Sequence, residues 1–424
     1  MSERRRVDIV VVGAGPAGLA AAAAAAARGR RVLVIDQGLR PGGQVWRHQS
    51  EAELPARART LMVRARNAGA TFAAEARVVD INSAHELIVD FRGRIAPVGT
   101  ESIVLATGAR ERFLPFPGWT LPGVMGVGGL QALYKSGLRM TGKRIVIGGT
   151  GPLLLPVAAA LAHAGADVRF VAEQAGAAAL LRFGASLGFS PAKLLEGARY
   201  RGAFLSTPYR TNSWIVAAAG EGRLRSVTVQ TGKRQVEFDC DFAAAAMGLV
   251  PNAELAQLLG CVMQDDAIGV GALQETSVAG VFAAGECTGV KGDDAGIAEG
   301  EIAGAAAAGD LRAARHAALV SRRDAGRRFG ARLATTFAPR REVLTLAAPD
   351  TILCRCEDVA CGAIQPEWSQ RQAKLWTRVG MGVCQGAVCG PACSAMFGWQ
   401  GNAVRPPLHS PAVGGWSESL THEG

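Results

Sequence analysis

Two groups of residues in this sequence could carry redox chemistry: a set of cysteines late in the chain and two glycine-rich turns. The sequence contains nine cysteines, and six of them fall between Cys354 and Cys393. Nine cysteines in 424 residues are too sparse for a framework of disulfides. Thiols clustered in a chain without such a framework favour metal or redox chemistry.

Two pairs of closely spaced cysteines have the composition of an iron–sulfur site. Cys354 and Cys356 flank Arg355, and Cys384 precedes Cys389 by five positions. Four thiolates are what a [2Fe–2S] cluster requires, because each iron takes two terminal sulfur ligands. Glycines around the second pair let amide groups approach the sulfurs, which offsets the negative charge of a cluster. These glycines are Gly380, Gly382, Gly386 and Gly390.

Other uses of these cysteines remain open when only the residues are considered. Structural zinc is one alternative, although zinc knuckles usually carry C-x2-4-C pairs at both ends. Buried thiols without any ligand are another. Cys361 and Cys393 also lie nearby, so the residues alone do not decide which four of the six thiols would bind iron.

The first glycine-rich turn, Gly13-Ala-Gly15-Pro-Ala-Gly18, has the spacing of a dinucleotide-binding turn. Gly13 allows a tight turn, Gly15 lets the backbone approach a pyrophosphate, and Gly18 lets a helix pack closely on a strand. Amide groups at the helix N-terminus then hold the phosphate charge. Asp36 is placed to accept hydrogen bonds from ribose hydroxyls. A loop built from small residues for packing alone is the alternative.

The second turn, Gly149-Thr-Gly151-Pro-Leu-Leu154, keeps two glycines and carries leucine at the third position. We expect Leu154 to push helix and strand apart, because a glycine at this position normally permits their contact. We expect Pro152 to lie in the first turn of a helix, as Pro16 does in the first motif. Glu173 is a candidate acceptor for ribose hydroxyls. The second site is therefore predicted to bind NAD, another nucleotide such as ATP, or nothing.

The elements around both turns are those of βαβ units. Apolar runs at residues 7–12 and 31–36 predict buried parallel strands on either side of a helix over residues 19–27. The same pattern recurs with strands at residues 143–148 and 167–171. Two such units predict an α/β fold with two Rossmann-like dinucleotide-binding domains.

Four further segments resemble the flavoproteins with two dinucleotide-binding domains, the group that contains thioredoxin reductase-like enzymes. These segments are Gly43-Gln44 in an Arg-Pro-Gly-Gly-Gln loop, Ala106-Thr107-Gly108 after a strand, the Gly-Leu-Val-Pro-Asn stretch ending at Asn252, and Gly285-Glu286. The resemblance implies FAD at the first turn. The expected FAD contacts are Gly13, Gly15, Pro16, Ala17, Gly18, Asp36, Gln37, Gly43, Gln44, Val78, Ala106, Thr107, Gly108, Gly285 and Glu286. The expected contacts of the second nucleotide are Gly149, Gly151, Pro152 and Glu173.

This chain departs from the disulfide reductases of that group in one respect. Those enzymes need a pair of cysteines facing the flavin, and here no cysteine precedes Cys240. Reduction of a dithiol by that route is excluded, so electrons from the flavin must go elsewhere.

The order of these motifs resembles one family over nearly the whole chain, the α subunits of bacterial hetero-oligomeric amine and imino-acid dehydrogenases. Members include hydroxyproline and proline dehydrogenases, opine oxidases and the hydrogen cyanide synthase flavoprotein subunit, with sarcosine oxidase α as a longer relative. The C-terminal cysteine segments resemble a bacterioferritin-associated-ferredoxin-like [2Fe–2S] domain. This resemblance selects Cys354, Cys356, Cys384 and Cys389 as the iron ligands.

The family resemblance implies an electron relay. In such complexes a separate amino-acid-oxidase-like flavoprotein β subunit oxidises the C–N bond; further expectations are an FMN between subunits and a small γ subunit. A flavin accepts two electrons and releases them singly, whereas a [2Fe–2S] cluster carries one, so the combination suits a one-electron acceptor. One alternative is a self-sufficient NAD(P)H-dependent flavin/iron–sulfur reductase. Another is a structural partner whose second nucleotide site regulates assembly.

Composition and charge set outer limits on the class of protein. Apolar residues make up 49% of the chain and charged residues 19%, which excludes a disordered or fibrous chain. The net charge is +10, but no nucleic-acid-binding pattern accompanies it, so nucleic acid is not an expected partner. The apolar runs are too short to cross a bilayer, and no signal peptide is evident at the start. We expect a cytoplasmic protein, with peripheral association with the inner membrane left open.

The sequence predicts the following domains. An FAD-binding domain takes residues 1–115 and 244–310, and a second nucleotide-binding domain takes residues 116–243. A basic helical connector spans residues 311–348, and its run of arginines predicts a solvated face, with a docking surface for an acidic partner and membrane-surface binding as the alternatives. Residues 349–424 form a [2Fe–2S] domain followed by a loose Pro/Gly/Ser tail.

Overall fold

The computed structural model describes residues 5–82, 86–187, 191–399 and 404–410. The chain forms two compact units. Unit 1 comprises Met1–Arg110, Val250–Ala331 and Ala403–Gly424, and unit 2 comprises Glu111–Leu249 and Arg332–Asn402. The expected boundaries near residues 115 and 244 thus lie within about six residues of those observed. The expected connector is divided between the two units, and most of the cysteine segment belongs to unit 2.

The helices and strands of the first part of the chain follow the expected alternation. In chain order they are β1 (Arg5–Val12), α1 (Pro16–Ala26), β2 (Val32–Asp36), α2 (Ala56–Asn67), β3 (Thr71–Ala74), β4 (Ala76–Ile81), β5 (Leu87–Phe91), β6 (Arg94–Leu105) and β7 (Ala109–Glu111). The next part contains β8 (Val124–Gly126), α3 (Val127–Lys135), β9 (Arg144–Gly149), α4 (Leu154–His163), β10 (Asp167–Glu173), α5 (Ala177–Ser186), α6 (Pro191–Gly202), β11 (Tyr209–Thr211), β12 (Ser213–Ala219), β13 (Ser226–Thr231), β14 (Arg234–Asp239), β15 (Phe242–Ala246) and β16 (Leu249–Pro251).

The remaining elements lie in the last 170 or so residues. They are α7 (Glu254–Leu258), β17 (Met263–Gln264), β18 (Ala267–Ile268), β19 (Val281–Ala283), α8 (Asp293–Ala307), α9 (Leu311–Ala314), α10 (Ala317–Thr336), α11 (Arg341–Leu344), β20 (Ile352–Cys354), β21 (Val359–Ala360), α12 (Gln370–Thr377) and α13 (Cys389–Phe397).

Unit 1 is built on a sheet with the strand order β3-β2-β1-β6-β5-β4. The strands β3, β2, β1 and β6 are parallel, and β19 pairs in parallel with the last residues of β6. Val11 lies opposite Val34 on one side and Val104 on the other, so apolar residues fill the middle of the sheet. The first predicted βαβ unit is confirmed, because its continuous apolar runs suit strands that are covered on both faces.

Helices α1 and α8 of unit 1 approach each other backbone to backbone. Every residue of α1 after Pro16 is buried, and most of these residues are alanines. A Cβ on Gly300 would lie 2.1 Å from the carbonyl oxygen of Ala17, and a Cβ on Gly304 would lie 2.2 Å from that of Ala21. Glycine at these two positions of α8 therefore sets the close packing that fixes α1 beneath the first glycine-rich turn.

Unit 2 contains a second sheet with the strand order β11-β10-β9-β15-β8, and all its pairings are parallel. A separate antiparallel sheet follows the order β12-β13-β14. The second predicted βαβ unit is thus confirmed in β9, α4 and β10. One expectation about its turn was wrong: α4 begins at Leu154, so Pro152 precedes the helix. Leu154 itself is fully buried in the core of unit 2, among residues of β9 and β15.

The cysteine segment of unit 2 shares a hydrophobic core with the earlier part of that unit. Leu353, Val359 and Cys393 pack in one cluster with Leu114 and Trp214. The indole nitrogen of Trp119 also donates to the carbonyl of Ile352 at 2.5 Å. Residues 349–399 are therefore integrated into unit 2 by packing as well as by chain connection.

Two expectations about charged and polar segments of unit 1 need correction. Helix α10 does not present only a solvated face: Arg323 is buried, and a Cβ on Gly326 would lie 2.1 Å from the Cβ of Ala295. Residues 404–410 are not loose, because Leu408 is buried and its N–H donates to the carbonyl of Val79 at 2.6 Å. The rest of the expected tail, residues 411–424, lies outside the described residues, as do residues 400–403. Across the described ranges, every helix is too short or too polar to cross a membrane.

Candidate functional site

The first glycine-rich turn of unit 1 has the geometry that its sequence predicts. Gly13 has φ of 106°, and a Cβ there would lie 2.2 Å from the carbonyl oxygen of Ala106. A Cβ on Gly18 would lie 1.8 Å from the carbonyl oxygen of Gly13. In contrast, a Cβ on Gly15 would meet no described atom within 4 Å. Two glycines therefore close the turn, and Gly15 leaves an open face at the start of α1 where a phosphate could approach.

The other segments expected to contact FAD converge on this turn. A Cβ on Gly43 would lie 2.9 Å from the Cα of Gly15, and a Cβ on Gly285 would lie 2.8 Å from the Cβ of Ala17. Both glycines have positive φ, which other residues rarely adopt. Gly42 is also held here, because its N–H donates to the carbonyl of Ala14 at 2.8 Å. Segments that are roughly 30 to 270 residues apart in sequence thus surround one helix N-terminus.

Asp36 at the end of β2 has a structural task beside its expected ligand role. Its carboxylate accepts hydrogen bonds from the N–H of Ala14 at 2.5 Å and from the N–H of Gly38 at 2.7 Å. These bonds tie the first turn to the loop that follows β2. A carboxylate offers about four acceptor positions, so two remain for hydroxyl groups of a ligand.

A cavity of about 450 Å³ opens beside Asp36. It is lined by Ala14 of the first turn, by residues 39–41 and 48–51, and by Phe72, Ala73 and Ala74 of β3. The carboxyl ends of parallel strands are where α/β sheets bind nucleotides. The cavity therefore has the position expected for the adenosine part of a dinucleotide.

The expected FAD contacts Gln37 and Val78 do not line the cavity, and two residues that were not expected there do. Gln37 is exposed beside Asp36, whereas Val78 is buried in the core of unit 1, away from the residues that line the cavity. Sequence reasoning missed His48, which lines the cavity, and Arg66 of α2, which lines it too. The Nε2 of His48 is buried with no hydrogen-bond partner in the described part of the chain. The sequence signal that could have located this cavity was residues 71–74, which form a third parallel strand along its wall.

The Ala106-Thr107-Gly108 segment and the segment ending at Asn252 are joined directly in unit 1. The hydroxyl of Thr107 donates to the carbonyl of Asn252 at 2.5 Å, and the side-chain amide of Asn252 donates to the carbonyl of Thr107 at 2.9 Å. The N–H of Asn252 donates to the carbonyl of Gly108 at 2.9 Å. Gln44 in the neighbouring loop accepts from Arg47 at 2.9 Å. These bonds fix the backbone that the resemblance assigns to flavin contact.

The loop after β19 is held by a buried ion pair that sequence reasoning missed. Lys291 and Glu299 are 4% and 0% exposed, and their charged groups lie 2.9 Å apart. Glu299 accepts from the N–H of Gly285 at 2.9 Å, and Lys291 donates to the hydroxyl of Thr288 at 2.7 Å. Burial raises the pKa of the adjacent Glu286, against the opposing effect of the Gly292 N–H. The available signal was the presence of Glu299 and Glu301 in the alanine- and glycine-rich part of α8.

The second glycine-rich turn, in unit 2, differs from the first in its hydrogen bonds. Gly149 and Gly151 both have positive φ, as a tight turn requires. Glu173 is 1% exposed, and its carboxylate accepts from the N–H groups of Gly151 at 2.9 Å and Ala175 at 2.8 Å. Burial raises the pKa of Glu173 to about 7. This carboxylate thus takes the amide of Gly151, which a phosphate would otherwise use.

The four cysteines selected by the resemblance lie close together in unit 2. The thiol of Cys354 is hydrogen-bonded to Cys389, and the thiol of Cys356 is hydrogen-bonded to Cys384. Burial raises the pKa of Cys384, but the N–H groups of Val388, Gly386 and Ala387 and the Cys356 thiol lower it below its ordinary value. Amide groups that stabilise a thiolate also suit a sulfur that binds iron.

The arrangement of these thiols falls short of a defined metal centre. Among the residues that the structure describes, no group of three or more His, Cys, Asp or Glu is arranged to hold a metal ion. Cys361 and Cys393 pack in the same cluster, and burial raises their pKa values to about 11 and about 12. Four thiols in contacting pairs, with amides aimed at one sulfur, nevertheless have the donor chemistry that a [2Fe–2S] cluster requires.

Comparison with known proteins identifies the family to which this chain belongs. Residues 7–310 match the family described as pyridine nucleotide-disulphide oxidoreductase. The chain belongs to this family, and it is an FAD-dependent oxidoreductase.

Comparison with individual named proteins shows which group of proteins the chain resembles. The chain is 32% identical to an opine oxidase subunit of Rhizobium meliloti (strain 1021), with 96% of this chain and 97% of the relative aligned. It is 30% identical to the corresponding opine oxidase subunit of Agrobacterium tumefaciens (strain Ach5), over 94% and 87%. It is 32% identical to the HcnB subunit of hydrogen cyanide synthase from Pseudomonas aeruginosa, over 91% of each chain. The predicted resemblance to this group of proteins is confirmed.

Solved structures agree on the fold. L-proline dehydrogenase from P. horikoshii superposes with a TM-score of 0.69 at 17% identity, covering 97% of this chain and 79% of that one. Thioredoxin reductase from T. acidophilum superposes with a TM-score of 0.56 at 19% identity, covering 72% of this chain and 99% of that one.

Proposed function

We propose that this chain is the FAD- and [2Fe–2S]-containing electron-transfer subunit of a hetero-oligomeric dehydrogenase that oxidises an imino acid, an amino acid or an opine. The observation that carries the proposal is the alignment over more than nine-tenths of the chain with proteins named as subunits of opine oxidase and hydrogen cyanide synthase. A shorter alignment with the alpha subunit of sarcosine oxidase from Corynebacterium sp. (strain P-1) covers 71% of this chain. Opines and sarcosine share a secondary amine beside a carboxylate, which favours a substrate with an oxidisable C–N bond.

Unit 1 supplies the residues for FAD. The open face at Gly15 takes the pyrophosphate at the N-terminus of α1, and Asp36 and the 450 Å³ cavity beside it take the adenosine. The Gly285 loop, held by Glu299, lies against the start of α1 and takes the ribityl chain. FAD bound there supplies a carrier that accepts two electrons and can release them one at a time.

The cysteine segment of unit 2 supplies the ligands for the one-electron carrier. Cys354, Cys356, Cys384 and Cys389 hold the [2Fe–2S] cluster in this proposal. Two observations support the assignment: these four thiols form two contacting pairs, and three backbone N–H groups lower the pKa of Cys384. The exposed position of Cys356 leaves that side of the segment accessible to an acceptor.

Oxidation of the substrate belongs to a partner in this proposal. We assign it to an amino-acid-oxidase-like flavoprotein β subunit; the further components are an FMN between subunits and a small γ subunit. The relatives' names describe subunits of larger enzymes, which supports a hetero-oligomer. Because no cysteine precedes Cys240, a dithiol cannot take the electrons from the flavin, and a one-electron acceptor receives them through the cluster.

The test uses the full chain prepared without oxygen, both alone and as the complex co-purified from its native host. We expect about two iron and two acid-labile sulfide per FAD in the isolated chain. We expect the isolated chain to be inactive with proline, hydroxyproline and octopine, and the complex to oxidise one of them. Zinc in place of iron, or full-rate oxidation by the isolated chain, would overturn the proposal.

A further inference from the structure

The second glycine-rich turn of unit 2 is covered where the corresponding turn of unit 1 is open. Gly15 and Gly151 occupy the same position in their motifs, the position at which a backbone normally approaches a pyrophosphate. A Cβ on Gly15 would meet no described atom within 4 Å, whereas a Cβ on Gly151 would lie 3.9 Å from the ring of Phe337. The ring of Phe337 therefore lies over the face of Gly151 that a phosphate would use.

The covering segment, residues 337–340, is anchored along the carboxyl end of the sheet of unit 2. Gln174, which directly follows β10 and is 1% exposed, donates to the carbonyl of Ala338 at 2.9 Å. Its side-chain oxygen accepts from the N–H of Arg340 at 3.1 Å, and its carbonyl accepts from the Arg340 guanidinium at 3.2 Å. Both ends of the Gln174 side chain are thus satisfied by this segment.

Contacts of the Arg340 and Phe337 side chains complete the anchor. The guanidinium of Arg340 donates to the side chain of Asn212 and lies 4.9 Å from the ring centroid of Trp214. The ring of Phe337 makes an edge-to-face contact with Phe183 of α5, with centroids 5.1 Å apart. A cation over an aromatic ring and a pair of packed rings each add stabilisation beyond simple burial.

We infer that residues 337–340 fill the second dinucleotide site and make this chain selective against NAD(P)H, with Phe337 and Arg340 as the specificity-determining residues. Two features act together in this exclusion. Phe337 covers Gly151, and the carboxylate of Glu173 already accepts the hydrogen bond of the Gly151 N–H. A pyrophosphate brought to Gly151 would therefore displace an aromatic ring and meet a carboxyl group instead of a free amide.

This inference extends the proposed function, because it states why the flavin of this chain receives its electrons from a partner instead of from a nicotinamide. The inference does not depend on the cysteine ligands, so it can hold even if iron analysis contradicts the proposed [2Fe–2S] cluster. The covering segment also continues directly into α11, whose Val343 packs with Leu353 and Cys354. Displacing residues 337–340 from the second site would therefore disturb the packing of the cysteine segment.

The experiment compares the FAD-loaded full chain with the double variant F337A/R340A. The variant R332A serves as the matched control, because Arg332 lies in the same part of the chain but donates to the carbonyl of Ser186. Each protein is mixed anaerobically with NADH and with NADPH while flavin absorbance is followed, and binding of NADH and of ATP is measured by calorimetry. The Tm and the FAD content verify that each variant is folded.

We expect no saturable binding of NADH, NADPH or ATP by the unmodified chain or by R332A, and flavin reduction no faster than that of free FAD. We expect F337A/R340A to bind NADH saturably, with an affinity at least tenfold above the detection limit that the unmodified chain does not reach. Saturable reduction of the unmodified chain by NADH would overturn the inference, as would ATP binding with protection of residues 337–340 from hydrogen exchange. A folded F337A/R340A without the gain would overturn it too. If this variant does not fold, Gln174→Ala is tested instead. It removes the two hydrogen bonds of the Gln174 side chain to residues 338 and 340 but keeps the side chains of Phe337 and Arg340, and it must show the same gain in NADH binding.

Discussion

The N–H of Gly151 donates to the carboxylate of Glu173 at 2.9 Å, so the second glycine-rich turn binds a side chain of its own unit. The other carboxylate oxygen accepts from the N–H of Ala175 at 2.8 Å. In the first turn the corresponding acid, Asp36, bonds to Ala14 and leaves Gly15 open. Glutamate is one methylene longer than aspartate, and Glu173 accepts from the second glycine of its motif, whereas Asp36 accepts from the residue before the corresponding glycine. These two differences separate the second turn, whose glycine N–H is already bonded, from the open first turn.

The buried position of Glu173 predicts a dependence of stability on pH. Burial raises its pKa in the folded state to about 7, against an ordinary value of 4.5. The native state thus holds the proton more tightly than the unfolded state, so the contribution of this group to stability is highest below pH 4.5 and is lost as the pH rises to 7. The loss is about 3 kcal/mol for this one group.

Glu173→Gln should remove this loss between about pH 5 and pH 8. The check is the free energy of unfolding in urea at both pH values. Glu221→Gln is the control, because Glu221 belongs to the same unit with an 89% exposed side chain, and its removal should leave the pH dependence unchanged. An unchanged pH dependence in Glu173→Gln would show that this carboxyl does not titrate as its burial implies.

The parts of the fold that the sequence predicted are those governed by local pattern. Continuous apolar runs before Gly13 and Gly149 suit strands that are buried on both faces, and the structure forms β1 and β9 there. The glycine spacing of the first motif also predicted which positions must lack a side chain. Gly13 and Gly18 are closed by backbone, and Gly15 faces open space. These features depend on neighbours that lie close in sequence.

The parts that sequence reasoning missed depend on contacts between distant segments. The anchoring of residues 337–340 needs Gln174, which is 164 positions from Ala338. The burial of Leu408 needs Val79. Pattern within a window cannot supply such pairings.

The open face of Gly15 predicts a variant that separates cofactor binding from folding. Gly15 has φ of −74°, which any residue adopts, and a Cβ there meets no described atom within 4 Å. Gly15→Val should therefore leave the Tm of the FAD-free protein within about 2 °C of the unmodified chain, because surface changes cost less than about 0.5 kcal/mol. The side chain would fill the space of the pyrophosphate, so we expect FAD retention to fall at least tenfold.

The matched comparison for Gly15→Val is Gly13→Val. Gly13 has φ of 106° and its Cβ would lie 2.2 Å from a carbonyl oxygen, so this variant should lose folded protein as well as FAD. The FAD-to-protein ratio and the melting curve of each variant give the answer. Full FAD retention by Gly15→Val would remove the first turn as the pyrophosphate site.

The paired thiols predict which cysteines matter for iron. Cys384→Ser should remove the visible iron–sulfur absorbance and leave FAD bound, because Cys384 lies in unit 2 and the expected FAD contacts lie in unit 1. Cys361→Ser is the control, since Cys361 packs in one cluster with the ligands Cys354 and Cys389 but is not one of the four selected ligands. The iron–sulfur absorbance should persist in this variant. The measurements are the visible spectrum and the iron and FAD contents. Joint loss of iron and FAD in Cys384→Ser would mean that the two sites are not independent.

The ion pair of Lys291 and Glu299 predicts a large effect from removing one charge. Both groups are buried, and Lys291→Met leaves the carboxylate of Glu299 with only the more exposed guanidinium of Arg327, 3.9 Å away, so the free energy of unfolding should fall by about 3 kcal/mol. The double variant K291M/E299Q should recover at least half of this loss, because a neutral amide oxygen can still accept from the N–H of Gly285. FAD retention should follow the same order, since Glu299 holds the loop that lies against the start of α1.

The control for this ion pair is a second pair whose acid also lies on α8. Arg57 pairs with Asp294 of α8, and both side chains are exposed, so Arg57→Met should change the free energy of unfolding by less than about 1 kcal/mol. Urea unfolding of the FAD-free proteins at one pH and one salt concentration compares the variants directly. If Lys291→Met cost no more than Arg57→Met, the guanidinium of Arg327, which lies 3.9 Å from Glu299, would have to compensate the buried carboxylate by itself. The Gly285 loop would then be held by its hydrogen bonds alone.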